Sequence, residues 1–484
     1  MPYNHGIRVK ENPTSIPTPM RTEAGVPVFF GTAPINLISD PSSAVNKLIL
    51  CNTFAEAKEK LGYSDDYANY TLCAAMDAMF KIFAVAPVIF VNVLDPSNAN
   101  HVAAYTESIT LSNKIGVGTS LGVLIGTLSV TDSNDVALVL DTDYTVELNA
   151  DGYPVFNVTK VGVTGIKVSG SKLAASGVTA AEVVGTYNSG TGVSTGIQLT
   201  DKIYPELGLV PSLLAAPGYS KTSTVGLALS EKAYKISGRF RCECVIDIDA
   251  SSSGAKVYSG VQNVKETCGY VNSNMILCWP MVKYGDKKMP YSALYVAMTT
   301  YLDITNDNVP NLSPSNKALY IQAVCDADGA DIYLDDDQAN ELNGIGVVTA
   351  VNHNGFRSWG NNTAVYPLST DPKDRWIGCR RFFSWFGNRF ITTYLDKVDE
   401  NMNYRLIESF VDSENIFGNS LVASGKCAGC RIEYSREDNK LSDVLEGKMV
   451  FREYLAPYTP AEDILDILEY DPSMIEAALG GGES

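Results

Sequence analysis

Two five-residue segments, 118–122 and 192–196, match the serine-hydrolase pattern G-x-S-x-G. In that pattern the serine sits on a sharp strand-to-helix turn, and a neighbouring base removes its proton. Both segments lie in a stretch rich in Gly, Ser and Thr, where no helix is predicted to follow. We therefore interpret Ser120 and Ser194 as chance matches and expect no catalytic serine.

The histidine content limits any base-assisted chemistry, because the chain has only three histidines, His5, His101 and His353. His353 alone falls within the predicted α/β body. Pairing it with Asp247 or Asp249 would give an Asp-before-His order, but no serine downstream has a nucleophile context. We therefore predict turn-forming polar residues here and no enzymatic activity.

Metal and cofactor motifs are equally weak. Cys427 and Cys430 form a C-x-x-C pair and Cys242 and Cys244 a closer one. Four thiolates could hold zinc, but alternate residues on a strand face opposite ways. The acidic run 335–337 lacks the glycine and the distal carboxylate of a calcium loop and is interpreted as a helix start. With no Walker loop and no G-x-G-x-x-G, we predict no metal and no cofactor.

Composition narrows the class of protein further. The 484 residues carry 55 acidic and 37 basic side chains, a formal charge of −18, which disfavours nucleic acid as a partner. Ten cysteines are too few for a disulfide scaffold, so we expect reduced thiols. The first residues lack the pattern of an export signal, and the apolar stretch 74–94 is interrupted by charges and a proline. We expect neither export nor membrane insertion.

The hydrophobic pattern predicts a multidomain α/β chain. Residues 88–94 are apolar almost throughout, which is typical of a strand covered on both faces. Thr53 and Glu56 form a capping box before a short helix that Gly62 ends. Residues 101–198 hold 13 glycines and no Cys, Met or Trp, which predicts a β-rich, exposed insertion. The α/β pattern resumes near residue 199.

The last part of the chain has a different pattern. Apolar residues spaced by three or four from Ile391 to Phe410 predict one long amphipathic helix. Short strands are predicted around 430–434 and 449–455. Thr459 to Glu462 forms a capping box with Pro460 at the first helical position, so the local pattern favours a helix over 460–469.

The first ten residues alternate apolar and polar side chains, which predicts a short strand, and a proline-rich leash follows it. One strand alone is not stable. This strand must therefore dock elsewhere, unless the terminus is disordered.

Several segments together resemble the contractile tail sheath family of bacteriophages and phage-tail-like particles. The segment 312–316 lacks the tryptophan often found before Ser-Pro-Ser-Asn in that family. The matches occur in order over nearly the whole chain except 101–198, and they comprise residues 3–9, 25–34, 204–211, 216–220, 312–316, 346–349, 355–363, 380–388 and 455–462.

The resemblance implies a fold and a set of domains. It implies a subtilisin-like α/β middle domain without an active site, a β-rich insertion, and an α+β C-terminal domain with extended arms at both ends. The implied bounds are 1–20 for the N-terminal arm, 21–100 and 199–370 for the sheath domain, 101–198 for the insertion, 371–460 for the C-terminal domain facing the tube, and 461–484 for the C-terminal arm.

The resemblance also implies a function. It implies a subunit that stacks in hexameric rings around a tail tube in a metastable extended state and contracts to drive the tube through a target cell envelope. The partners would be further copies of the chain, the tube protein, and baseplate and tail terminator proteins, in a particle assembled in the bacterial cytoplasm. The alternatives are a serine-hydrolase-type α/β enzyme and a surface-array protein, of which the latter would need an export signal.

By the same resemblance, both arms join the sheet of a neighbour's C-terminal domain. The donated residues are Tyr3, His5, Ile7 and Val9 from one arm and Ile464, Leu465, Ile467, Leu468 and Tyr470 from the other. For the second arm the family pattern disagrees with the local helical pattern, and we predict the strand. The basic residues Lys373, Arg375, Arg380, Arg381 and Arg389 are candidates to face the tube, and the alternative is that they are structural.

Overall fold

The computed structural model describes residues 24–480. Its largest element is a nine-stranded sheet. The central six strands are parallel, and antiparallel strands extend both edges. In spatial order the strands are Lys317–Ala318, Phe356–Trp359, Val347–Asn352, Met275–Cys278, Glu243–Asp247, Pro211–Ala215, Val26–Gly31, Val88–Asn92 and Ile49–Cys51.

The parallel strands are buried because helices cover the sheet. Val88–Asn92 is buried at every residue, as its unbroken apolar run predicts. The helix predicted after Thr53 is confirmed, and the Thr53 side chain accepts a hydrogen bond from the Glu56 N–H. The helices of this part are Phe54–Leu61, Thr71–Met76, Ile203–Leu207, Ser223–Tyr234, Val261–Cys268, Tyr291–Thr305 and Asp336–Gly344.

A small antiparallel sheet flanks the large one, with strands Met281–Tyr284, Lys287–Met289, Ala323–Cys325 and Asp331–Ile332. Nearby, Asp335 begins the helix Asp336–Gly344 by accepting a hydrogen bond from the Gln338 N–H. The helix start predicted for the acidic run 335–337 is therefore confirmed.

Strands are the main regular elements of residues 102–194, as their composition indicates. Two three-stranded sheets enclose a separate core that includes Tyr105 and Phe156. Their strands are Val102–Thr110, Gly165–Leu173 and Ser129–Asp132 in one sheet and Ile115–Val117, Pro154–Val158 and Tyr144–Leu148 in the other, followed by the helix Ala180–Val184 and the hairpin Tyr187–Asn188 with Val193–Ser194.

The single long helix predicted from Ile391 to Phe410 is wrong. Two helices, Ile377–Tyr394 and Tyr404–Ala423, form a hairpin instead. Asn403 begins the second helix by accepting a hydrogen bond from the Leu406 N–H. The Tyr394 and Phe410 rings stack across the turn with centroids 4.3 Å apart. The apolar stripe therefore packs against its own second half, which buries it better than one straight helix could.

A two-stranded sheet, Gly429–Glu433 with Arg452–Ala456, follows this hairpin. Two short helices, Pro372–Arg375 and Leu441–Leu445, complete the region. After Ala456 the chain has no helix or strand until Pro472–Gly480, so the helix that local pattern favours over 460–469 is absent. The predicted N-terminal strand, with Tyr3, His5, Ile7 and Val9, lies outside the described residues.

Between residues 24 and 480, no helix combines the length and the apolar character that crossing a membrane requires.

Candidate assembly surface

The two-stranded sheet near the C-terminus is closed along one edge. The side-chain amide of Asn415 donates to the Ile432 carbonyl at 3.3 Å and accepts from the Ile432 N–H at 3.2 Å. Gly418, one turn further along the helix Tyr404–Ala423, allows a close approach, since a Cβ there would lie 2.9 Å from the Cβ of Cys430. The helix therefore covers the outer edge of Gly429–Glu433.

The opposite edge, on Arg452–Ala456, is open. The N–H and C=O of one strand residue point the same way, and successive residues alternate. Because the backbone groups of Ile432 point away from its partner Glu453, those of Phe451, Glu453 and Leu455 face the outer edge. No backbone hydrogen bond from residues 24–480 reaches these three residues on that side. This edge can accept another strand.

One face of the small sheet packs on the helix hairpin. Ile432 is buried there, and the Phe451 ring stacks on Phe410 with centroids 5.1 Å apart. The other face carries Arg452 and Tyr454, both exposed. Two strands are marginal on their own, and the helix hairpin stabilises this pair from one side only.

The face of the small sheet that packs on the helix hairpin includes a buried carboxyl group, that of Glu453. Burial, followed by the nearby negative charge of Glu414, raises the pKa of Glu453 to about 8. Arg389 lies close enough to oppose this shift. Glu453 therefore holds its proton at neutral pH in the folded subunit.

Replacing Glu453 with glutamine is expected to stabilise the subunit more at pH 8 than at pH 5. The unfolded chain releases this proton near pH 4.5 and the folded chain near 8, so the carboxyl group's contribution to stability is lost as the pH rises between them. Urea unfolding at pH 5, 7 and 8.5 measures the difference. Glu453→Asp keeps a carboxyl group and should retain the pH dependence. An equal effect of Glu453→Gln at all three pH values would contradict the assignment.

The basic residues of the helix Ile377–Tyr394 are tied to the subunit itself. Arg381 pairs with Asp303 through Nη1 at 3.0 Å, and both side chains are enclosed. Arg389 pairs with Glu414, and neither is accessible. The side chains of Arg381 and Arg389 therefore do not reach the surface of the subunit, and both bind acidic residues of the same chain.

The other three basic residues are more accessible. Arg380 binds Asp374 at 3.1 Å and is largely buried. Arg375 lies over the Trp376 ring at 3.9 Å and pairs with Glu462 at 3.0 Å. The Lys373 side chain is 43% exposed, with Asp374 at 3.7 Å. Of the five predicted tube-facing residues, Lys373 is the most available to a partner.

The segment that follows Ala456 and leads into the C-terminal arm contacts the rest of the subunit near its start and makes few contacts further on. The Glu462 carboxylate contacts Arg375, and the Tyr458 carbonyl accepts from the Cys379 thiol at 3.7 Å. Within the described chain, no backbone hydrogen bond involves residues 459–470. The apolar side chains beyond this point are exposed by 71–88%, namely Ile464, Leu465, Ile467, Leu468 and Tyr470.

The residues considered for catalysis are used otherwise. Asp247 accepts hydrogen bonds from the Ser292 N–H at 2.7 Å and the Ser220 hydroxyl at 3.3 Å. His353 Nε2 lies 3.6 Å from Asp336. The Asp247–His353 pair considered from sequence is therefore not formed.

The four cysteines considered for metal binding are free thiols, and so are the other six cysteines of the chain. Across residues 24–480, no cluster of His, Cys, Asp and Glu has the arrangement of a metal site.

The contacts that close one edge of the small sheet and leave the other open were not predicted from the sequence. Asn415 and Gly418 interrupt an otherwise amphipathic helix, and such residues weaken a helix interior. The presence of these two unfavourable residues in a predicted helix was a sequence signal that they make a specific contact. Only the folded structure shows that the contacts are with Ile432 and Cys430.

Sheath proteins of contractile injection systems share this fold. The chain superposes on the PVC sheath complex of an extracellular contractile injection system in its contracted state with a TM-score of 0.58, 14% identity, and 98% and 99% of the two chains covered. It superposes on the contracted helical sheath of the anti-feeding prophage with a TM-score of 0.58 and 13% identity. That match covers 97% of this chain and 100% of the other. A mixed α/β multidomain fold is therefore confirmed.

The sequence relatives are tail sheath proteins. The chain is 24% identical over 489 residues to the tail sheath protein of Burkholderia phage BcepMu, covering 94% of each. It is 24% identical over 290 residues to that of Escherichia phage P2, covering 59% of this chain and 69% of the relative. No protein-family model matches the chain. The resemblance to contractile tail sheath proteins is thus confirmed.

Proposed function

We propose that the chain is the structural subunit of a contractile tail sheath. The observation that carries the proposal is its similarity to the tail sheath protein of phage BcepMu over 94% of both chains. The open edge of Arg452–Ala456 and the exposed apolar arm of the same subunit supply the two halves of a contact between copies.

The contact is heterologous, because the arm of one copy meets a different surface on the next. Such contacts build open helical lattices as well as rings. A donated strand contributes backbone hydrogen bonds along the acceptor edge. In this proposal Ile464–Tyr470 of one copy and the N-terminal segment with Tyr3, His5, Ile7 and Val9 of another extend the C-terminal sheet of a third.

Contraction follows from the same arrangement. The subunit bodies rotate and slide as rigid units, while the arms keep neighbouring subunits joined. The N-terminal arm is connected by a proline-rich linker, and the C-terminal arm by a segment without secondary structure. Hexameric rings are laid down around the tube in an extended lattice that stores the energy, so no nucleotide is needed. The subunit body corresponds to the subtilisin-like middle domain, and the parallel sheet supports that assignment.

The partners follow from this role. They are further copies of the chain, the tail tube protein, and baseplate and terminator proteins, in a phage tail or phage-tail-like particle assembled in the bacterial cytoplasm. The insertion 101–198 lies on the outer surface of the sheath, and Lys373 is the best placed of the basic candidates to meet the tube.

Purified full-length protein is expected to form hollow, ribbed tubes in negative-stain electron microscopy, and protein lacking residues 1–20 is expected not to. The deletion removes one donated strand but none of the core between residues 24 and 480. Circular dichroism of both proteins checks that the deletion leaves the subunit folded. Tubes from the folded truncated protein would contradict a donated N-terminal strand.

A further inference from the structure

A largely apolar groove lies just before the first residue of the strand Arg452–Ala456. It has a volume of about 650 Å³ and is formed where the helix hairpin meets the segment 444–451. Its lining includes Tyr394, Met402, Leu406, Leu445, Met449 and Phe451. Leu445 is 78% exposed.

The groove lies beyond only one end of the open edge, the end next to Phe451. Phe451 lines the groove and immediately precedes Arg452–Ala456, so the groove lies at the first end of that strand. A segment paired along the edge and leaving it at Phe451 enters the groove directly.

The C-terminal helix Pro472–Gly480 has the complementary surface. Met474 and Leu479 are 70% and 83% exposed. Positions 474, 475, 478 and 479 carry Met, Ile, Ala and Leu and share one face of a helix. Glu476 is the one charged residue of the helix, and Asp471 alone separates the helix from the arm.

Chain direction decides where this helix goes. The arm residues 464–470 span about 23 Å as a strand, enough to follow the acceptor edge from end to end. Paired antiparallel to Arg452–Ala456, the arm begins near Ala456 and ends near Phe451, which delivers the helix to the groove. Paired parallel, it would deliver the helix to the opposite end. The helix is about 13 Å long.

The occupant comes from another copy. The subunit's own arm is held at Glu462 by Arg375, and its backbone over 459–470 makes no hydrogen bond with the described residues of its own body. We propose that the arm of a second copy adds antiparallel to Arg452–Ala456 and that its helix Pro472–Gly480 fills the apolar groove. This inference rests on the proposed sheath function and adds to it the strand direction and a second contact.

Disulfide trapping in assembled sheaths tests the proposal. The variant Leu445→Cys/Leu479→Cys places one thiol in the groove and one on the helix. The matched control is Leu441→Cys/Leu479→Cys, because Leu441 lies on the same short helix and is 73% exposed but does not line the groove. After mild oxidation, non-reducing gels should show at least about tenfold more covalent multimers for the groove pair, since a disulfide requires Cα atoms within about 7 Å.

The outcomes separate this inference from the sheath proposal. All substituted residues are largely exposed, so the subunit should fold, and the wild-type protein gives the background from native thiols. Sheaths without multimers, or with equal amounts from both pairs, would overturn groove docking while leaving the sheath function standing. A wild-type protein that never assembles would instead contradict the sheath function, and this inference with it.

Discussion

Replacing Arg389 with leucine is expected to destabilise the C-terminal region by about 3–5 kcal/mol, the usual cost of leaving one member of a buried ion pair without its partner. Arg389 lies between the Phe386 and Phe417 rings, with its guanidinium 4.0 Å from the Phe417 ring centroid, and pairs with Glu414. The substitution leaves the Glu414 carboxylate enclosed and uncompensated. Urea unfolding followed by circular dichroism and tryptophan fluorescence measures the loss, because Trp385 packs beside Phe417.

Two controls identify the cause. Arg431→Leu removes an exposed arginine 3.7 Å from Glu433, and its effect should stay below about 1 kcal/mol. The double variant Arg389→Leu/Glu414→Leu removes both buried charges and should recover much of the lost stability. If Arg389→Leu were no more destabilising than Arg431→Leu, the buried pair would not hold the helix hairpin together.

The fold was predictable where local sequence decides it. The apolar run 88–94 is buried on both faces wherever a parallel sheet places it, so its pattern was sufficient. The helix hairpin was not predictable in the same way. Helical spacing from Ile391 to Phe410 continues through the turn, because both halves of the stripe face the same interface. Only packing of Tyr394 on Phe410 distinguishes a hairpin from a straight helix.

The role of the basic residues between 373 and 389 was also not predictable from local sequence. A run of arginines among aromatics is compatible with a binding surface or with a core, and the choice depends on residues distant in sequence. Asp303, which pairs with Arg381, lies 78 positions away. Which edge of the small sheet is left open was not predictable for the same reason, since the contact of Asn415 with Ile432 exists only after the helix has packed on the sheet.

The arm shows two sequence signals in conflict. Its capping box and apolar spacing favour a helix, yet an isolated helix of ten residues is marginal in water. In the subunit the arm contacts little of the body after Glu462, so nothing stabilises a helix there. Residues 460–469 form neither a helix nor a strand in the subunit, and strand donation to a neighbour remains our proposal.

Proline at one of the two positions Ile467 and Leu468 is expected to abolish sheath assembly, and proline at neither is expected to destabilise the subunit. In a donated strand, one of two consecutive residues directs its N–H at the acceptor edge, and proline lacks that group. The unpaired acceptor costs about 1–3 kcal/mol at each contact, and the loss recurs at every subunit of the lattice. Pelleting followed by negative-stain microscopy measures assembly.

The conservative variants Ile467→Val and Leu468→Ile are the matched controls, because they keep the N–H and the apolar surface and should pellet like wild type. All four variants should melt at the wild-type temperature, since no backbone hydrogen bond from the described body reaches residues 459–470. A proline variant that melts earlier would place the arm in the subunit's own fold. Assembly of both proline variants at the wild-type level would mean that side-chain contacts, and not a donated strand, join the copies.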